Sequence, residues 1–321
     1  MTGAGGFIGS HLVSALVDRG ARVHALAHYN SRSDYGNLRF LAPRQLEAVH
    51  VVMGDVQDAG FMDRLIAGRD TVFHLAALIG IPYSYVAPQS YVNTNVGGTL
   101  NVLEAVRRHK IRRMVHTSTS EAYGTALYEP IDEDHPLQGQ SPYSASKIAA
   151  DKLAESYHRS FDVPVATIRP FNTYGPRQSG RAVIPTIVSQ LLAGRPTVQL
   201  GSLDPVRDLT YVEDTARGFI AVAECELTVG QVVNVGSGQG ITIGDLARKI
   251  IAMVNPAARL VTNEQRVRPA KSEVMNLLCA NAKAANLTGW RPAVTLEEGL
   301  KRTIEFVRAH LDLYPVDTYT I

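Results

Sequence analysis

Short apolar segments alternate with longer amphipathic ones along the first half of the chain. Between the strands the apolar residues recur at helical spacing, after Gly9, over residues 93–108 and from Pro142 onwards. The buried strands are predicted over residues 22–27, 49–53, 71–75, 113–117 and 165–169. This repeated order of strand and helix predicts an α/β protein with a Rossmann-like, doubly wound parallel sheet.

Three glycines near the start match a phosphate-binding turn. Gly3, Gly6 and Gly9 are spaced three apart and a helical pattern follows at once. Small residues let the backbone approach a pyrophosphate, and a helix N-terminus offers unpaired N–H groups and a partial positive charge. The fingerprint needs a preceding strand, but only Met1 and Thr2 precede Gly3. We therefore expect either a start several residues inside the natural chain or a strand reduced to a stub.

The strand predicted at 22–27 is not followed by the acid that usually binds the adenosine ribose in NAD-binding folds. Asn30 and Arg32 lie near that point, so the 2′-phosphate of NADP is not excluded, while Asn30 or Ser31 can still bond a ribose diol. Asp55 can accept from the adenine amino group or cap the next helix, and both alternatives stay open. We expect NAD or NADP, with NAD favoured.

The regular alternation ends near Pro176. We predict that residues 1–176 form an NAD(P)-binding Rossmann domain with a truncated first strand. Residues 177–321 should form mainly a smaller, discontinuous substrate-binding domain, with segments that return to the first domain. Helices are predicted in this part over residues 184–192, 243–254 and 296–311.

Tyr143 and Lys147 lie four residues apart on one face of a predicted helix. An ammonium near a phenol favours the phenolate, so we expect the pKa of Tyr143 to be lowered and Tyr143 to act as a general base. The run Thr119-Ser120-Glu121 follows a predicted strand, where ligands bind in parallel sheets. Thr119 can hydrogen-bond a substrate hydroxyl, Ser120 can relay a proton and Glu121 can take a proton from carbon; turn and helix-start roles remain alternatives.

Charge and cysteine content exclude several classes of protein. Lys and Arg number 32 against 30 Asp and Glu, a net charge of +2, so the chain has no electrostatic footprint for nucleic acid or an anionic membrane surface. Cys225 and Cys279 are far apart without metal-like spacing, which favours reduced thiols and no metal site. With no signal peptide or membrane-spanning run, we expect a cytoplasmic protein.

Four motifs in this order resemble the extended short-chain dehydrogenase/reductase family, whose members act on nucleotide sugars with NAD(P). They are Gly3-x-x-Gly6-x-x-Gly9, Thr119-Ser-Glu121, Tyr143-x-x-x-Lys147 and Arg169-Pro-Phe-Asn172-x-Tyr-Gly-Pro176. The similarity runs from residue 2 to about 310, and segments 116–124 and 140–147 are most similar to 4,6-dehydratases of the GDP-mannose type and of legionaminate-like pathways. The dTDP-glucose type usually has Asp-Glu where this chain has Ser120-Glu121.

The resemblance implies a 4,6-dehydratase that converts an NDP-hexose or NDP-N-acetylhexosamine to its 4-keto-6-deoxy derivative. Tyr143, helped by Lys147 and Thr119, would deprotonate the sugar O4 while the cofactor takes hydride from C4. Glu121 would remove the C5 proton, and the C6 hydroxyl would leave as water with help from Glu121 or Ser120. Hydride would return to C6, so NAD or NADP should stay tightly bound.

It also implies which residues contact each ligand. The diphosphate and nucleoside would meet Asn172, Arg181, Arg207 and Arg268. The cofactor would be contacted by Tyr143 and Lys147 and by Gly3, Gly6, Phe7, Ile8, Gly9, Asn30, Arg32, Asp55, Val56, Leu75, Ala76, Ala77, Asn95 and Thr117. Relatives pair the helices that start near Asn93 and Ser144, which implies a homodimer joined by a four-helix bundle.

Two alternatives stay open. A UDP-glucuronate decarboxylase or an NDP-sugar 4-epimerase shares the first oxidation but would release carbon dioxide or keep the C6 hydroxyl. A non-catalytic NAD(P)-binding regulator is the other, and the intact Tyr143, Lys147 and Thr119 weigh against it.

Overall fold

The computed structural model describes residues 1–263 and 273–316. Its strands, in chain order, are β1 (Val23–His28), β2 (Val49–Gly54), β3 (Thr71–His74), β4 (Arg113–Thr117), β5 (Val165–Pro170), β6 (Asn172–Tyr174), β7 (Thr197–Leu200), β8 (Val206–Tyr211), β9 (Val232–Val235), β10 (Gly240–Thr242), β11 (Arg259–Thr262) and β12 (Asn276–Leu277). Its α-helices are α1 (Phe7–Asp18), α2 (Pro43–Glu47), α3 (Ala59–Ile66), α4 (Ile81–Val86), α5 (Pro88–Tyr91), α6 (Gly98–Arg108), α7 (Pro142–Phe161), α8 (Val183–Leu192), α9 (Val212–Glu224), α10 (Ile243–Val254), α11 (Ala282–Thr288) and α12 (Leu296–Ala309).

The larger sheet is parallel and has the order β2, β1, stub, β3, β4, β5, β9. The stub, residues 1–4, hydrogen-bonds to Leu26 of β1 on one side and to Phe73 of β3 on the other. In the structure these four residues take the place of the predicted first strand. They still join both halves of the sheet at their centre.

Helices cover both faces of this sheet because its strands are apolar on both sides. Met114 and Val115 are neighbours in β4 and so point to opposite faces. Met114 packs in a core with Val102 of α6 and Ala154 of α7. Val115 belongs to the core on the other face, with Phe219 of α9. This doubly wound arrangement confirms the predicted α/β class.

A second, smaller sheet follows β5 along the chain. Strand β8 pairs with β10 in antiparallel fashion and with β6 and β12 in parallel, while β7 and β11 form a separate parallel pair. Helices α8, α10 and α12 contribute Ile187, Leu246 and Leu300 to the core of this part. Between these elements the chain returns to the larger sheet to form α9 and β9. The exact domain boundary stays a prediction.

Most predicted elements agree with the observed ones to within one or two residues, and β4 and α10 have the predicted bounds. The helix predicted over 93–108 is confirmed in extent, but its first part, Val92–Gly97, is π-helical and leads directly into α6. A π-helical turn is wider than an α-helical one and often marks a functional site. Within the described residues, no helix has the length and apolar character needed to cross a bilayer.

Candidate active site

The glycine-rich turn is packed too closely for side chains. Gly3 has a φ of +67°, and a Cβ atom there would lie 2.6 Å from the backbone nitrogen of Ala76. A Cβ atom at Gly9 would lie 2.1 Å from the carbonyl oxygen of Gly3. Glycine is thus needed at 3 for its backbone conformation and at 9 for close approach of the chain to itself.

Helix α1 begins at Phe7 directly after this turn, and its N-cap, Gly6, has no side chain to bond the first N–H groups. The N–H groups of Phe7 and Ile8 lie in the first turn, where a helix has no internal acceptors for them. Together with the partial positive charge of the helix start, they suit a bound pyrophosphate. The cradle therefore fits a dinucleotide cofactor.

Asn30 closes the loop after β1. Its Nδ2 donates to the carbonyl oxygens of His28 and Asp34, and its Oδ1 accepts from the N–H groups of Arg32 and Asp34. Both polar atoms of the Asn30 side chain are therefore engaged within the loop, and a bond to a ribose would require the loop to rearrange. Arg32 is exposed at the surface. The cofactor contacts of Asn30 and Arg32 stay predictions.

Asp55 ends β2 in a local turn. Its Oδ1 accepts from the N–H of Gln57 at 2.9 Å, and its Oδ2 lies 3.6 Å from Nε2 of His28. The N-cap of α3 is Asp58, so the helix-capping alternative for Asp55 is wrong. Contact with an adenine amino group stays a prediction. The neighbouring Val56 is buried in the core beneath α6.

The segment after β3 is clamped from two sides. The N–H of Leu75 donates to the carbonyl of Thr2, and the N–H of Ala76 donates to the Thr2 hydroxyl. Asn95 accepts from the Leu78 N–H at 2.8 Å, and its Nδ2 donates to the Leu78 carbonyl at 3.0 Å and to the Ser146 hydroxyl at 2.9 Å. Asn95 therefore ties the segment that contains Ala76 and Ala77 to helix α7.

Thr119, Glu121 and Tyr143 come together at the carboxyl edge of the sheet. Thr119 Oγ1 accepts from the Glu121 N–H at 3.2 Å and begins the short 3₁₀ turn Ser120–Tyr123. Thr119 and Glu121 both lie close enough to the Tyr143 phenol to shift its pKa, the Thr119 side chain lowering it and the Glu121 charge raising it. Ser120 is buried within the turn. The predicted catalytic residues therefore form one cluster.

Helix α7 delivers Tyr143 and Lys147 to this cluster. Ser141 caps the helix by accepting from the Ser144 N–H, and Pro142 occupies the first turn, which fixes where the helix begins. Lys147 Nζ donates to the carbonyl oxygen of Thr117 at 2.6 Å. Burial lowers the pKa of Lys147 to about 8, and the Asp151 carboxylate opposes that effect.

The expected lowering of the Tyr143 pKa is wrong. Burial raises the pKa of Tyr143, the Thr119 side chain lowers it, and the charges of Glu121 and Asp151 raise it further. The loss of hydration around the buried phenolate is the largest of these effects on the pKa, and the Lys147 ammonium donates to the Thr117 carbonyl. A positive charge close to the phenol would favour its action as a base.

Sequence reasoning missed a buried polar cluster beneath these residues. Asp151 accepts hydrogen bonds from His116 at 3.0 Å, Ser118 at 2.5 Å and Arg169 at 2.7 Å. Although burial alone would raise the pKa of Asp151, the hydrogen bond from His116 and the charge of Arg169 hold it well below its usual range. The available signal was spacing, because Asp151 is one helical repeat beyond Lys147.

The predicted substrate residues are only partly brought to the site. Asn172 Oδ1 is buried without a hydrogen-bond partner among the described residues, as expected of a group that awaits a ligand. Arg181 reaches toward Gly80, where its Nη1 would lie 3.4 Å from an added Cβ atom. Arg207 is buried and pairs with Glu273 at 3.0 Å. Arg268 lies outside the described residues.

Two further residues join the cofactor cradle to the start of the second sheet. Arg177 adopts a positive φ of 70° and donates to the carbonyl of Phe40 at 3.1 Å. His11 Nε2 donates to the carbonyl of Pro176 at 3.0 Å. Burial, with the nearby Arg177 charge, lowers the pKa of His11 to about 4, so this imidazole is neutral at pH 7. No sequence motif predicts the contact between His11 and Pro176.

Comparison with known proteins assigns the family. The profile described as GDP-mannose 4,6 dehydratase matches residues 1–303. The chain belongs to this family. It is therefore an extended short-chain dehydrogenase/reductase, as the four motifs indicated.

Relatives in this family include both dehydratases and epimerases. A dTDP-glucose 4,6-dehydratase of Actinoplanes sp. is 34% identical over 97% of this chain and 97% of its own length. A UDP-glucose 4-epimerase of Mycolicibacterium smegmatis is also 34% identical, over 96% of this chain and 97% of its own length. Among solved structures, TunA is an NAD-dependent NDP-hexosamine 5,6-dehydratase involved in tunicamycin biosynthesis. Its sequence is 30% identical to this chain, and the two structures align with a TM-score of 0.84 over 99% of this chain and 98% of TunA.

Proposed function

We propose that this family member is an NAD-dependent nucleotide-sugar 4,6-dehydratase acting on an NDP-hexose or NDP-N-acetylhexosamine. The observation that carries the proposal is the cluster of Tyr143, Thr119 and Glu121. An alcohol oxidation needs a base for a hydroxyl proton, and a subsequent elimination needs a base for a carbon-bound proton. Tyr143 and Glu121 supply one of each kind, next to one another.

The residues of the first half-reaction act on the sugar O4. Bound oxidised NAD would supply a hydride acceptor and a positive charge, and such a charge close to Tyr143 would favour the phenolate that burial disfavours. Tyr143 takes the O4 proton as the C4–H bond breaks, and Thr119 orients the phenol and the hydroxyl. Lys147, held by the Thr117 carbonyl, adds a second positive charge at this end of helix α7.

The second half-reaction eliminates water. A ketone at C4 makes the C5 proton acidic, and Glu121 removes it. The protonated Glu121 can then give the same proton to the departing C6 hydroxyl, directly or through Ser120, so a single carboxyl group balances the elimination. Hydride from the reduced cofactor would return to C6, the O4 proton held by Tyr143 would pass to solvent, a solvent proton would add to C5, and no net oxidation would remain. This balance favours a cofactor that stays bound throughout the cycle.

NAD is the cofactor we propose, with NADP as the alternative. The cradle formed by Gly3, Gly6 and Gly9 fits the pyrophosphate that both share. TunA, a structural neighbour over nearly the whole chain, is NAD-dependent. Denaturing the purified protein and identifying the released dinucleotide by mass spectrometry tests both the identity of the cofactor and its retention.

The substrate test is a panel of UDP-, GDP-, CDP- and dTDP-sugars incubated in heavy water. The proposal expects loss of one water and one deuterium at C5 of the product. A 5,6-dehydratase would also lose one water but leave a C5–C6 double bond, which proton NMR detects. An epimerase would retain the substrate mass, and a decarboxylase would release carbon dioxide. No turnover of any sugar would favour the non-catalytic regulator.

Two substitutions separate the proposed bases. Tyr143→Phe should abolish C4 oxidation, and Glu121→Gln should permit oxidation but block water loss, seen as accumulated reduced cofactor in single turnover. Tyr91→Phe is the matched control, since Tyr91 packs edge-on to Tyr143 and its hydroxyl donates to the Gly80 carbonyl. Unchanged dehydration by the Glu121 variant would overturn its assignment.

A 4-epimerase is the second candidate because an epimerase relative is as similar as the dehydratase one. It would use Tyr143 in the same oxidation, then return hydride to the opposite face of C4. Glu121 distinguishes the two, because epimerisation at C4 requires no base for C5. A UDP-glucuronate decarboxylase stays a further alternative, since it too begins with oxidation at C4.

We also propose a homodimer that pairs α6 and α7 with their counterparts in a four-helix bundle. Leu100 of α6 and Phe161 of α7 are large apolar residues left exposed, and the Tyr157 hydroxyl of α7 donates to Glu104 of α6. A monomeric mass in light scattering at micromolar concentration would contradict this proposal. The cytoplasmic location stays a prediction.

A further inference from the structure

Asp151 occupies a position unusual for a carboxylate. It lies on α7 four residues beyond Lys147 and is 6% exposed, so water does not stabilise its charge. A buried carboxylate persists only where hydrogen bonds and an opposite charge replace the lost hydration. The identity and origin of its partners therefore show what this residue holds in place.

Its donors come from two neighbouring strands of the larger sheet. His116 lies in β4, Ser118 follows β4 directly, and Arg169 lies in β5. Arg169 also donates to the Ser118 hydroxyl at 3.1 Å, which closes the cluster around the carboxylate. Asp151 therefore pins α7 to the carboxyl ends of both strands. Those ends carry Thr117, the acceptor for Lys147.

The charge of Asp151 also bears on Lys147. The groups facing Lys147 are Asp151 on its own helix, His74 in β3 and His116 in β4. Burial, with repulsion from Lys147, lowers the pKa of both imidazoles, so neither adds a positive charge near pH 7. Asp151 is thus the negative group that favours the ammonium of Lys147 against its burial.

We propose that Asp151 is a positioning residue, which fixes α7 against the ends of β4 and β5 and places its negative charge one helical turn from the Lys147 ammonium. It does not touch the reacting atoms; it acts through Lys147 and through the carbonyl of Thr117. Its importance for turnover rests on the proposed function, but its effect on Lys147 does not.

The first test measures Lys147 directly and needs no sugar substrate. Lysine labelled with carbon-13 at Cε gives seven signals at most, because the chain has seven lysines, and Lys147→Arg identifies the one of interest. In the purified protein with its bound dinucleotide, Asp151→Asn should lower the titration midpoint of Lys147 by about 1 pH unit or more, the shift that one close opposite charge produces. An unchanged midpoint in a folded variant would overturn the proposal.

Glu155→Gln is the matched control. Glu155 is also an acid of α7, but it lies at the surface and pairs with Lys152 and Arg159. Its removal should leave the midpoint of Lys147 where it is. A shift as large as that of Asp151→Asn would show a general charge effect and contradict a specific role. If Asp151→Asn does not fold, the double variant Asp151→Asn/Arg169→Met removes both buried charges. A smaller downward shift is then expected, because the loss of the Arg169 cation partly offsets the loss of the carboxylate, and a midpoint that does not fall would overturn the proposal.

The second test is the pH profile of dehydration. We expect kcat to fall at high pH as Lys147 loses its proton. In Asp151→Asn this fall should move to lower pH by the shift seen in the NMR titration. A merely structural role would lower kcat without moving the limb, and that result would overturn the proposal. If the chain proves not to be a dehydratase, the profile does not exist, but the NMR result still decides whether Asp151 controls Lys147.

Discussion

Replacing Gly9 with alanine tests whether the close packing of the glycine-rich turn shapes the cofactor site. An added methyl group would lie 2.1 Å from the Gly3 carbonyl oxygen and 3.0 Å from the Gly3 carbonyl carbon. Ordinary contacts of this kind need well over 3 Å, and neither partner is a flexible side chain that can move aside. The turn and helix α1 must therefore shift apart by more than about 1 Å.

Two opposing free-energy contributions decide whether Gly9→Ala stabilises or destabilises the fold. Alanine in place of glycine within a helix contributes about 0.5–1 kcal/mol of stability, whereas overpacking at a rigid site costs roughly 1–3 kcal/mol. We expect a net destabilisation of about 1–2 kcal/mol. A displaced turn also withdraws the N–H groups that face the pyrophosphate, and a loss of about 1.4 kcal/mol there weakens NAD binding tenfold.

Calorimetric titration of cofactor-stripped protein with NAD measures the affinity, and thermal unfolding measures the stability. Gly60→Ala is the matched control, because Gly60 is also helical but its nearest neighbours are side-chain atoms of Arg64 and Asp58 at 3.4 and 3.5 Å. The Gly60→Ala variant should bind NAD as tightly as the unaltered chain and unfold at no lower a temperature. If Gly9→Ala binds NAD as tightly as the unaltered chain, the close packing does not shape the cofactor site.

Two further predictions concern buried hydrogen bonds. His11 has a folded pKa of about 4, below its value of 6.5 in the unfolded chain, so its contribution to stability is present above pH 6.5 and is lost as the pH falls towards 4. That loss amounts to about 3 kcal/mol, and His11→Gln, which can still donate to Pro176, should flatten the pH dependence measured by urea unfolding. Asn95→Ala leaves both backbone groups of Leu78 and the Ser146 hydroxyl without their partner, and should lower the free energy of unfolding by about 2–3 kcal/mol.

Both of these predictions, for His11 and for Asn95, have a comparison that can contradict them. Equal slopes between pH 6.5 and 4 for the unaltered chain and His11→Gln would contradict the assignment of that acid sensitivity to His11. For Asn95 the comparison is Asn101→Ala, which removes two hydrogen bonds to backbone carbonyls on the exposed side of α6. Water can replace those bonds, so its effect should stay below about 1 kcal/mol. Equal losses of unfolding free energy in Asn95→Ala and Asn101→Ala would contradict the role of Asn95 in tying the segment after β3 to α7.

The larger sheet could be predicted from sequence because its strands are short, mainly apolar and separated by amphipathic helices. Strand β4 and helix α10 even have the predicted bounds. Helix α9 and strand β9 were not predicted, because they follow β8 along the chain and so lie beyond the regular alternation of strand and helix that ends near Pro176. The π-helical segment before α6 was missed for a different reason: its apolar spacing looks helical, and only the wider turn sets it apart.

At the site, residue identity predicted which groups meet but not how their environment changes them. Tyr143, Thr119 and Glu121 cluster as the motifs indicated. The direction of the Tyr143 pKa was wrong because it depends on burial, which one-dimensional spacing does not reveal. Asp151 was overlooked because an acid on a helix is usually exposed to solvent, and only the fold shows its three donors.

The place of β9 has a consequence for synthesis on the ribosome. The strand that completes the larger sheet beside β5 is translated only after β6, β7, β8 and the helices among them have emerged. Until Val235 leaves the exit tunnel, the nascent chain presents β5 as an unpaired apolar edge. A chain stalled before that point should therefore be a chaperone client and prone to aggregation, whatever the stability of the finished protein.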